Sequence, residues 1–367
     1  MVKAYLNREN MIKAVLFDWG HTVMEELPGM YGAMADWKRV EATPGVQAVL
    51  EGLRGRVKIC LATNAAESDG ALVRKALGRV DLDRYFDAVY TARDLGLTKP
   101  APAYFHAIAA DLGLPLEECL MVGNSFQTDA NGAAAAGLKA IWLKRGNEPL
   151  WGHPMFDVVL PGYDGFEAAL AQINNNSLPG FETSLGMLRE AEVRKGLFRH
   201  VQKVALTAYA MAIWILENDG MVDPILAHRA GLLHDIDKQY FTDDNPHGQL
   251  GAQMVQKAGY GLLSGPIRSH QVLSILWEAS APSTLEAKLV YLADKLVEKD
   301  QFVGVDARLD HLIERYGENS PELAGCRRLV KALEAEIAGL AGVPLDRFEE
   351  NLRRVVDRVD VTELTLR

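Results

Sequence analysis

The chain has 367 residues, more than one ordinary hydrophobic core accommodates, so two domains are expected. Hydrophobic residues make up 49% and charged residues 24%, a balance that excludes a disordered or fibrous chain. A net charge of -10 argues against a nucleic-acid backbone as the main partner, and the three scattered cysteines, Cys60, Cys119 and Cys326, exclude a disulfide framework or a thiolate metal motif.

From the N-terminus, the runs KAVLFD, VKICLAT, DAVYT, CLMVGN, KAIWLK and FDVVL alternate with longer helical patterns. They predict a Rossmann-like parallel sheet covered by helices on both faces. Cys60 and Cys119 fall in two of the strands and are expected in the core. The first apolar stretch, AVLFDW, is short and interrupted by Asp18, so no leader is expected. No segment approaches the roughly 20 apolar residues of a membrane span, and a soluble cytoplasmic protein is expected. Between Asp18 and Thr63 there is no room for a full helical cap; only EELPGMYGAMADWKRVEATPG can lie over the cleft, a minimal cap. The GAAAAG stretch reads as a close-packed helix.

NNNSLPG, at 174–180, reads as a linker because Asn, Ser, Pro and Gly cluster there. It separates a domain at 1–173 from one at 181–367, where helical periodicity dominates. Val201, Val204, Ala205, Ala208, Met211, Ala212 and Ile215 recur at three and four, with His200 at the edge of the stripe. Asp294 lies four residues after Val290 and three before Val297, on the buried face of its helix, where a carboxylate needs a partner or a metal. Ala227, Ala230 and Gly231, before His234, would let a neighbouring helix approach closely. The last piece, VPLDRFEENLRRVVDRVD, reads as an amphipathic packing helix.

His200, His234, Asp235, His247, His270 and Asp294 form a scattered set of imidazoles and carboxylates, donors suited to iron, manganese, zinc or magnesium. A single buried histidine is more often a hydrogen-bonded core residue, so the ordered set carries the weight. His228 precedes His234 by six residues, about 240° around a helix, and is expected to be structural or exposed. His311 reads as a surface residue. Lys238 and Lys295 stand beside ligand segments, where they would bind phosphate or complement a helix dipole.

FRHVQKVALTA, AGLLHDIDK, HGQLGAQMV, IRSHQ and KLVYLADKLVEKD occur in an order that resembles the HD-domain phosphohydrolases, over roughly residues 197–300. The resemblance implies an all-α domain holding one or two divalent metals, iron, manganese or similar. Asp235 would bridge them and be catalytic, and Lys238 would contact substrate. One departure is Asp237, where the family commonly has glycine or alanine.

VLFDWGHTV, LATN, LTKPAPAYF and VGNSFQTDANGAAAAG, over about residues 11–165, resemble the haloacid dehalogenase-like hydrolases. The resemblance implies Asp18 as a nucleophile that takes up phosphate, Thr63 and Asn64 on phosphate oxygens, and Lys99 as their counter-charge. Asn124 and Asp129 would complete a magnesium site with Asp18. The family's second aspartate, which handles the proton, is replaced by Gly20, and His21 beside it is either a substitute acid-base or a cleft-lining residue of a slow or inactive domain.

The main expectation is a metal-dependent phosphohydrolase acting through the HD domain on a phosphate ester or anhydride, a nucleotide above all, fused to a phosphatase domain of weak or altered activity. The alternatives are a phosphatase in the first half with a regulatory HD domain, and a non-catalytic phosphate sensor. The expected partner is a small phosphorylated molecule, with no membrane or nucleic acid.

Overall fold

The structure, a computed structural model, describes residues 11–146, 152–317 and 322–366. Among these, 11–146 and 155–176 form one compact unit, and 152–154 with the residues from 177 onward form another. Residues 152–154 therefore sit with the second unit instead of the first. The reason is polar: His153 Nδ1 lies 2.9 Å from His228 Nε2, and the Pro154 carbonyl accepts from Arg229 at 2.9 Å.

The first unit is a six-stranded sheet in the order β3-β2-β1-β4-β5-β6, every neighbouring pair parallel. Its strands are β1 (Ala14–Phe17), β2 (Lys58–Thr63), β3 (Ala88–Thr91), β4 (Cys119–Gly123), β5 (Lys139–Leu143) and β6 (Val158–Leu160). The helices are α1 (Val46–Leu53), α2 (Gly70–Gly78), α3 (Ala92–Leu95), α4 (Pro102–Leu112), α5 (Gly132–Ala136) and α6 (Phe166–Asn174). Strand side chains are buried on both faces, so the runs are continuously apolar, as in a sheet covered by helices. Strand order reverses between β1 and β4, the crevice where open sheets place ligands. Asp18 follows β1, Thr63 ends β2 and Asn124 follows β4, so all three lie at that edge.

Residues 25–45 form no helical cap. The Met24–Ala42 bridge closes the segment, a 3-10 turn at Met34–Asp36 buries Met34 and Ala35, and Arg79 of the α2 C-terminus donates to the Trp37 carbonyl at 2.6 Å. Cys60, Cys119 and Cys326 are free and buried.

The second unit contains α7 (Phe181–Glu190), α8 (Lys195–Glu217), α9 (Pro224–Leu233), α10 (Gln249–Lys257), α11 (Ser264–Ser269), α12 (Leu285–Leu296), α13 (Val305–Tyr316), α14 (Leu323–Leu340) and α15 (Leu345–Val356). The expectation of a purely helical domain is modified by one short antiparallel ladder, β7 (Val297–Glu298) with β8 (Gln301–Phe302). Asp223 caps α9 through the Ile225 and Leu226 N–H groups, and Thr284 caps α12 through Ala287. A Cβ on Gly231 would lie 2.9 Å from the Ala205 Cα, so glycine permits the close crossing of α8 and α9. That crossing brings His200 and His234 together. On α15, Phe348, Leu352 and Val356 are buried. No helix among the described residues is long and apolar enough to cross a membrane.

Candidate active sites

In the helical unit, the ends of α8, α9, α11 and α12 and the loop before α10 carry six side chains into one place. His200, His234 and Asp294 have ligand atoms within 4.8 Å of one another, as do His234, Asp235 and His270. His247 Nε2 lies 2.8 Å from Asp235 Oδ1 and 3.2 Å from His270 Nε2.

The far side of each ring explains why these nitrogens converge. Nδ1 of His200 faces the Lys299 carbonyl at 2.9 Å, that of His234 the Gly231 carbonyl at 2.7 Å, and that of His270 the Ile267 carbonyl at 2.6 Å. A carbonyl only accepts, so the proton sits on Nδ1 and the Nε2 lone pair faces inward. His247 achieves the same through Asp237, whose Oδ1 is 2.6 Å from its Nδ1. Asp237 Oδ2 also accepts the Gly248 and Gly251 N–H groups at 2.8 Å each. The residue at which the sequence departs from the family therefore orients His247 and ties down the start of α10.

These donors fit a divalent metal. His234 Nε2 is buried with no hydrogen-bond partner, and it lies 3.6 Å from Asp235 Oδ2 and 3.7 Å from Asp294 Oδ1. A lone pair facing carboxylate oxygens is repulsive, and a cation between them relieves it. Burial pushes His234 down to about 3, which keeps the ring neutral, the form that ligates metals. Burial opposes charge on Asp235 and Asp294, but the histidines and lysines around them outweigh it and hold both well below the usual carboxylate range.

The lysines separate into two roles. Lys238 is half exposed, with Nζ 3.3 Å from Asp235 Oδ1 and 3.0 Å from His247 Nε2, at the mouth of the site. Lys295 is buried, and its ammonium is bonded to Asp294 and, at 2.8 Å, to the His270 carbonyl. It holds ligand segments in place instead of reaching for phosphate. His228 is fully buried beside Arg229 and His153, which settles its structural alternative over the exposed one.

A cavity of about 580 Å³ opens over this site. Arg308, His311 and Arg315 of α13 contribute to its wall. His311, expected at the surface, is half exposed and paired with Glu298, yet on the cavity rim. The spacing 308, 311, 315 is one helix face, and that periodicity was the available signal.

In the sheet unit, Lys99 Nζ is buried 2.6 Å from Asp18 Oδ1 and 2.7 Å from Asp129 Oδ1, and it donates to the Ala62 carbonyl at 2.8 Å. Burial pushes the Asp18 carboxyl up to about 6, with Asp129 adding to the rise and Lys99 opposing it. Burial works against charge on Lys99 too, but Asp129 and Asp18 outweigh it and raise its pKa. Gly123 makes room for Asp129, whose Oδ2 lies 2.4 Å from where a Cβ on Gly123 would be. Thr22, not singled out in the sequence, places its hydroxyl 3.4 Å from both Asp18 Oδ2 and Asn124 Oδ1. Two carboxylates and an amide oxygen are hard donors that fit magnesium.

Thr63 Oγ1 accepts from the Ala65 N–H at 3.1 Å, leaving its own proton free to donate. Asn64 differs from expectation: its Nδ2 donates to the Lys99 carbonyl at 2.9 Å and its Oδ1 accepts from the Lys99 N–H at 2.8 Å. Its amide clamps the backbone that carries Lys99 instead of facing a phosphate. His21 is half exposed, with φ 54°, Nδ1 3.3 Å from Glu25 Oε2 and Nε2 3.8 Å from Glu26 Oε2. Its contacts are glutamates of the covering segment.

Comparison with known proteins agrees with this division. Residues 21–137 match the model of haloacid dehalogenase-like hydrolases, and residues 197–298 match that of the HD domain. The chain carries a HAD-like hydrolase domain and an HD domain. The HD match contains all six converging ligand residues, whereas the HAD-like match begins after Asp18. The chain is 37% identical over 112 residues to N-acylneuraminate-9-phosphatase of Rattus norvegicus and 33% identical over 113 residues to phosphoserine phosphatase of Thermus thermophilus. Each alignment covers 30% of this chain, and the chain spans less than half the length of these curated relatives, 44% of each. A crystal structure of an uncharacterized protein from Listeria monocytogenes serotype 4b is similar with a TM-score of 0.40 at 25% identity, covering 44% of this chain and 98% of that one.

Proposed function

We propose that the HD domain is a metal-dependent phosphohydrolase acting on a phosphate ester or anhydride of a nucleotide. The HAD-like domain is a second, phosphate-monoester site. The observation that carries the first reading is the convergence of four Nε2 atoms on Asp235 and Asp294, with each Nδ1 anchored from behind and His234 Nε2 without a protein partner. A divalent ion, iron, manganese or similar, supplies Lewis acidity there, acidifying water and offsetting charge on phosphoryl oxygens.

The chain's own groups do the rest. His200, His234, Asp235, His247, His270 and Asp294 would hold the metal, and Asp235 faces three of the histidines, His234, His247 and His270. Lys238, Arg308 and Arg315 line the cavity and attract the anionic substrate. In the HAD-like domain, Asp18 is the nucleophile, Thr63 donates to a phosphate oxygen, and Asp18, Asn124 and Asp129 hold magnesium. Lys99 keeps Asp18 ionised and in position. The relatives named N-acylneuraminate-9-phosphatase and phosphoserine phosphatase support a small phosphate monoester for this second site.

The test is metal analysis of the purified chain together with phosphate release from a panel of nucleotides and sugar phosphates, with manganese, iron or magnesium. Asp235→Ala is expected to lower the bound metal and abolish nucleotide hydrolysis while activity that depends on Asp18 persists. Unchanged metal content and full nucleotide turnover in Asp235→Ala would end the HD-site reading.

A further inference from the structure

Gly20 stands two residues after Asp18 and carries no side chain, but the space beside it is filled. A Cβ built on Gly20 would lie 2.2 Å from Glu26 Oε1, 2.9 Å from its Cδ and 3.2 Å from its Cγ. The Glu26 carboxylate thus occupies the place into which a side chain at position 20 would grow, and glycine leaves room for it. A tight turn brings it there: the Val23 and Met24 N–H groups both donate to the Trp19 carbonyl at 3.0 Å, and the His21 N–H donates to the Met24 carbonyl at 2.7 Å. The chain reverses between residues 20 and 24, which returns Glu26 to the level of Gly20.

Glu26 also lines a cavity beside the strand ends that carry Asp18 and Thr63. With Trp19, next to Asp18, and Ala65, just beyond Thr63 and Asn64, it lines a cavity of about 460 Å³. Leu27, Met30 and Tyr31 of the covering segment add apolar wall. The cavity thus adjoins the residues that follow Asp18 and Thr63 in the chain, Trp19 and Ala65. The Glu26 side chain is 60% exposed, so solvent reaches it, and His21 Nε2 sits 3.8 Å from its Oε2.

Resting on the reading of Asp18 as the nucleophile, we infer that Glu26 is the catalytic acid and base of the HAD-like site, reaching the Gly20 position from six residues further along the chain. In the first half-reaction an Asp18 oxygen bonds to phosphorus and the bond to the ester oxygen breaks. The protonated Glu26 carboxyl gives its proton to that oxygen, releasing the alcohol. In the second, water attacks the aspartyl-phosphate, its proton passes to the Glu26 carboxylate, and the bond between phosphorus and Asp18 breaks to release phosphate. Proton and electron pairs balance with water as the co-reactant. His21 is a neighbour of Glu26 and not the acid itself.

The test uses the full chain with magnesium and two substrates. 4-Nitrophenyl phosphate has a leaving group that departs without a proton, whereas a simple alkyl phosphate needs one. Glu26→Gln is expected to slow Asp18-dependent turnover of the alkyl phosphate by about 10²–10⁴-fold. Formation of the covalent phosphoenzyme from 4-nitrophenyl phosphate, followed by acid quench, is expected to change far less, and the trapped phosphoenzyme to persist. The double variant Gly20→Asp with Glu26→Ala, which makes room for a carboxylate at position 20, is expected to turn over the alkyl phosphate faster than Glu26→Ala alone. Loss of activity in Asp18→Asn together with wild-type alkyl-phosphate turnover in Glu26→Gln would overturn the role of Glu26 and leave the nucleophile reading intact. Unchanged activity in Asp18→Asn would overturn the nucleophile reading itself, and the role of Glu26 with it.

Discussion

Lys99 and Lys295 are both buried lysines bonded to an aspartate of a candidate metal site, yet their surroundings differ. Lys99 stands between two carboxylates, Asp18 and Asp129, and is the near cation for both. Lys295 pairs with one carboxylate, Asp294, and donates besides to the His270 carbonyl at 2.8 Å, and Asp294 also has His200 Nε2 at 3.1 Å. The sheet site thus offsets part of its negative charge with one fixed ammonium at the ends of strands. The helical site surrounds its aspartates with imidazoles, each turned with Nε2 towards a carboxylate. The first site carries a protein cation within ion-pair distance of both its aspartates, whereas in the second the groups nearest Asp235 are mostly imidazoles.

The strongest way to break that comparison is to remove each lysine. Lys99→Met leaves Asp18 and Asp129 buried and facing each other, and the loss of an ion-pair partner in such a place costs about 3–5 kcal/mol. Lys295→Met leaves Asp294 with histidine partners, and a lost charged hydrogen bond there costs about 1–3 kcal/mol. Denaturant unfolding of the two variants is expected to show the larger loss for Lys99→Met. Equal losses would mean that the two sites are balanced alike.

A smaller effect sharpens the view of the helical site. Asp237→Ala removes the acceptor that fixes the His247 ring and leaves the Gly248 and Gly251 N–H groups without their partner. Loss of such a supporting contact lowers metal affinity by about 10–100-fold. Titration of the metal-free protein with cobalt, read by its absorption spectrum, is expected to show weaker binding and an altered band pattern. Unchanged affinity would make Asp237 a structural residue of the α10 start alone.

The smallest effect lies away from both sites. Burial raises the Glu334 carboxyl to about 7, with its hydrogen bond to Glu349 adding to the rise and Lys331 opposing it. A carboxyl whose pKa is higher folded than unfolded contributes stability that is present below the unfolded value and is lost as pH rises towards the folded one. The helical unit is therefore expected to lose stability between about pH 4.5 and 7 from this group. Glu334→Gln should flatten that loss and raise the melting temperature at pH 8 relative to wild type. A lower melting temperature at pH 8 would show that the ionised carboxylate is the stabilising form.

Much of the architecture was legible because it is local. Each of the six apolar runs became a strand, since β-branched residues bounded by turn signals carry their own preference. The small residues before His234 announced a close helix crossing, and Gly231 against Ala205 is that crossing. The site residues were less uniform. His200 and Asp294 lie 94 positions apart, and nothing in their spacing dictates a 3.1 Å approach. Periodicity puts each on the buried face of its own helix, the resemblance joins them in one ligand set, and the packing of α8, α9 and α12 brings them together. The Asn64 amide has two polar destinations open to it, phosphate or the Lys99 backbone 35 residues away, and a sequence cannot choose between them; its side chain takes the second.

By itself the sequence determined where strands and helices form, the change from a parallel sheet to helices near residue 175, and the inventory of imidazoles and carboxylates. Those properties follow from periodicity and side-chain chemistry, which act within a few residues of the chain. Only the tertiary structure decided that Asp237 stands behind His247, that Lys99 joins Asp18 to Asp129, and that the Glu26 carboxylate lies over Gly20. Each of these is a contact of a few ångströms, set by turn geometry and by which elements pack together, and a shift of one residue in either would have placed a different side chain at the site.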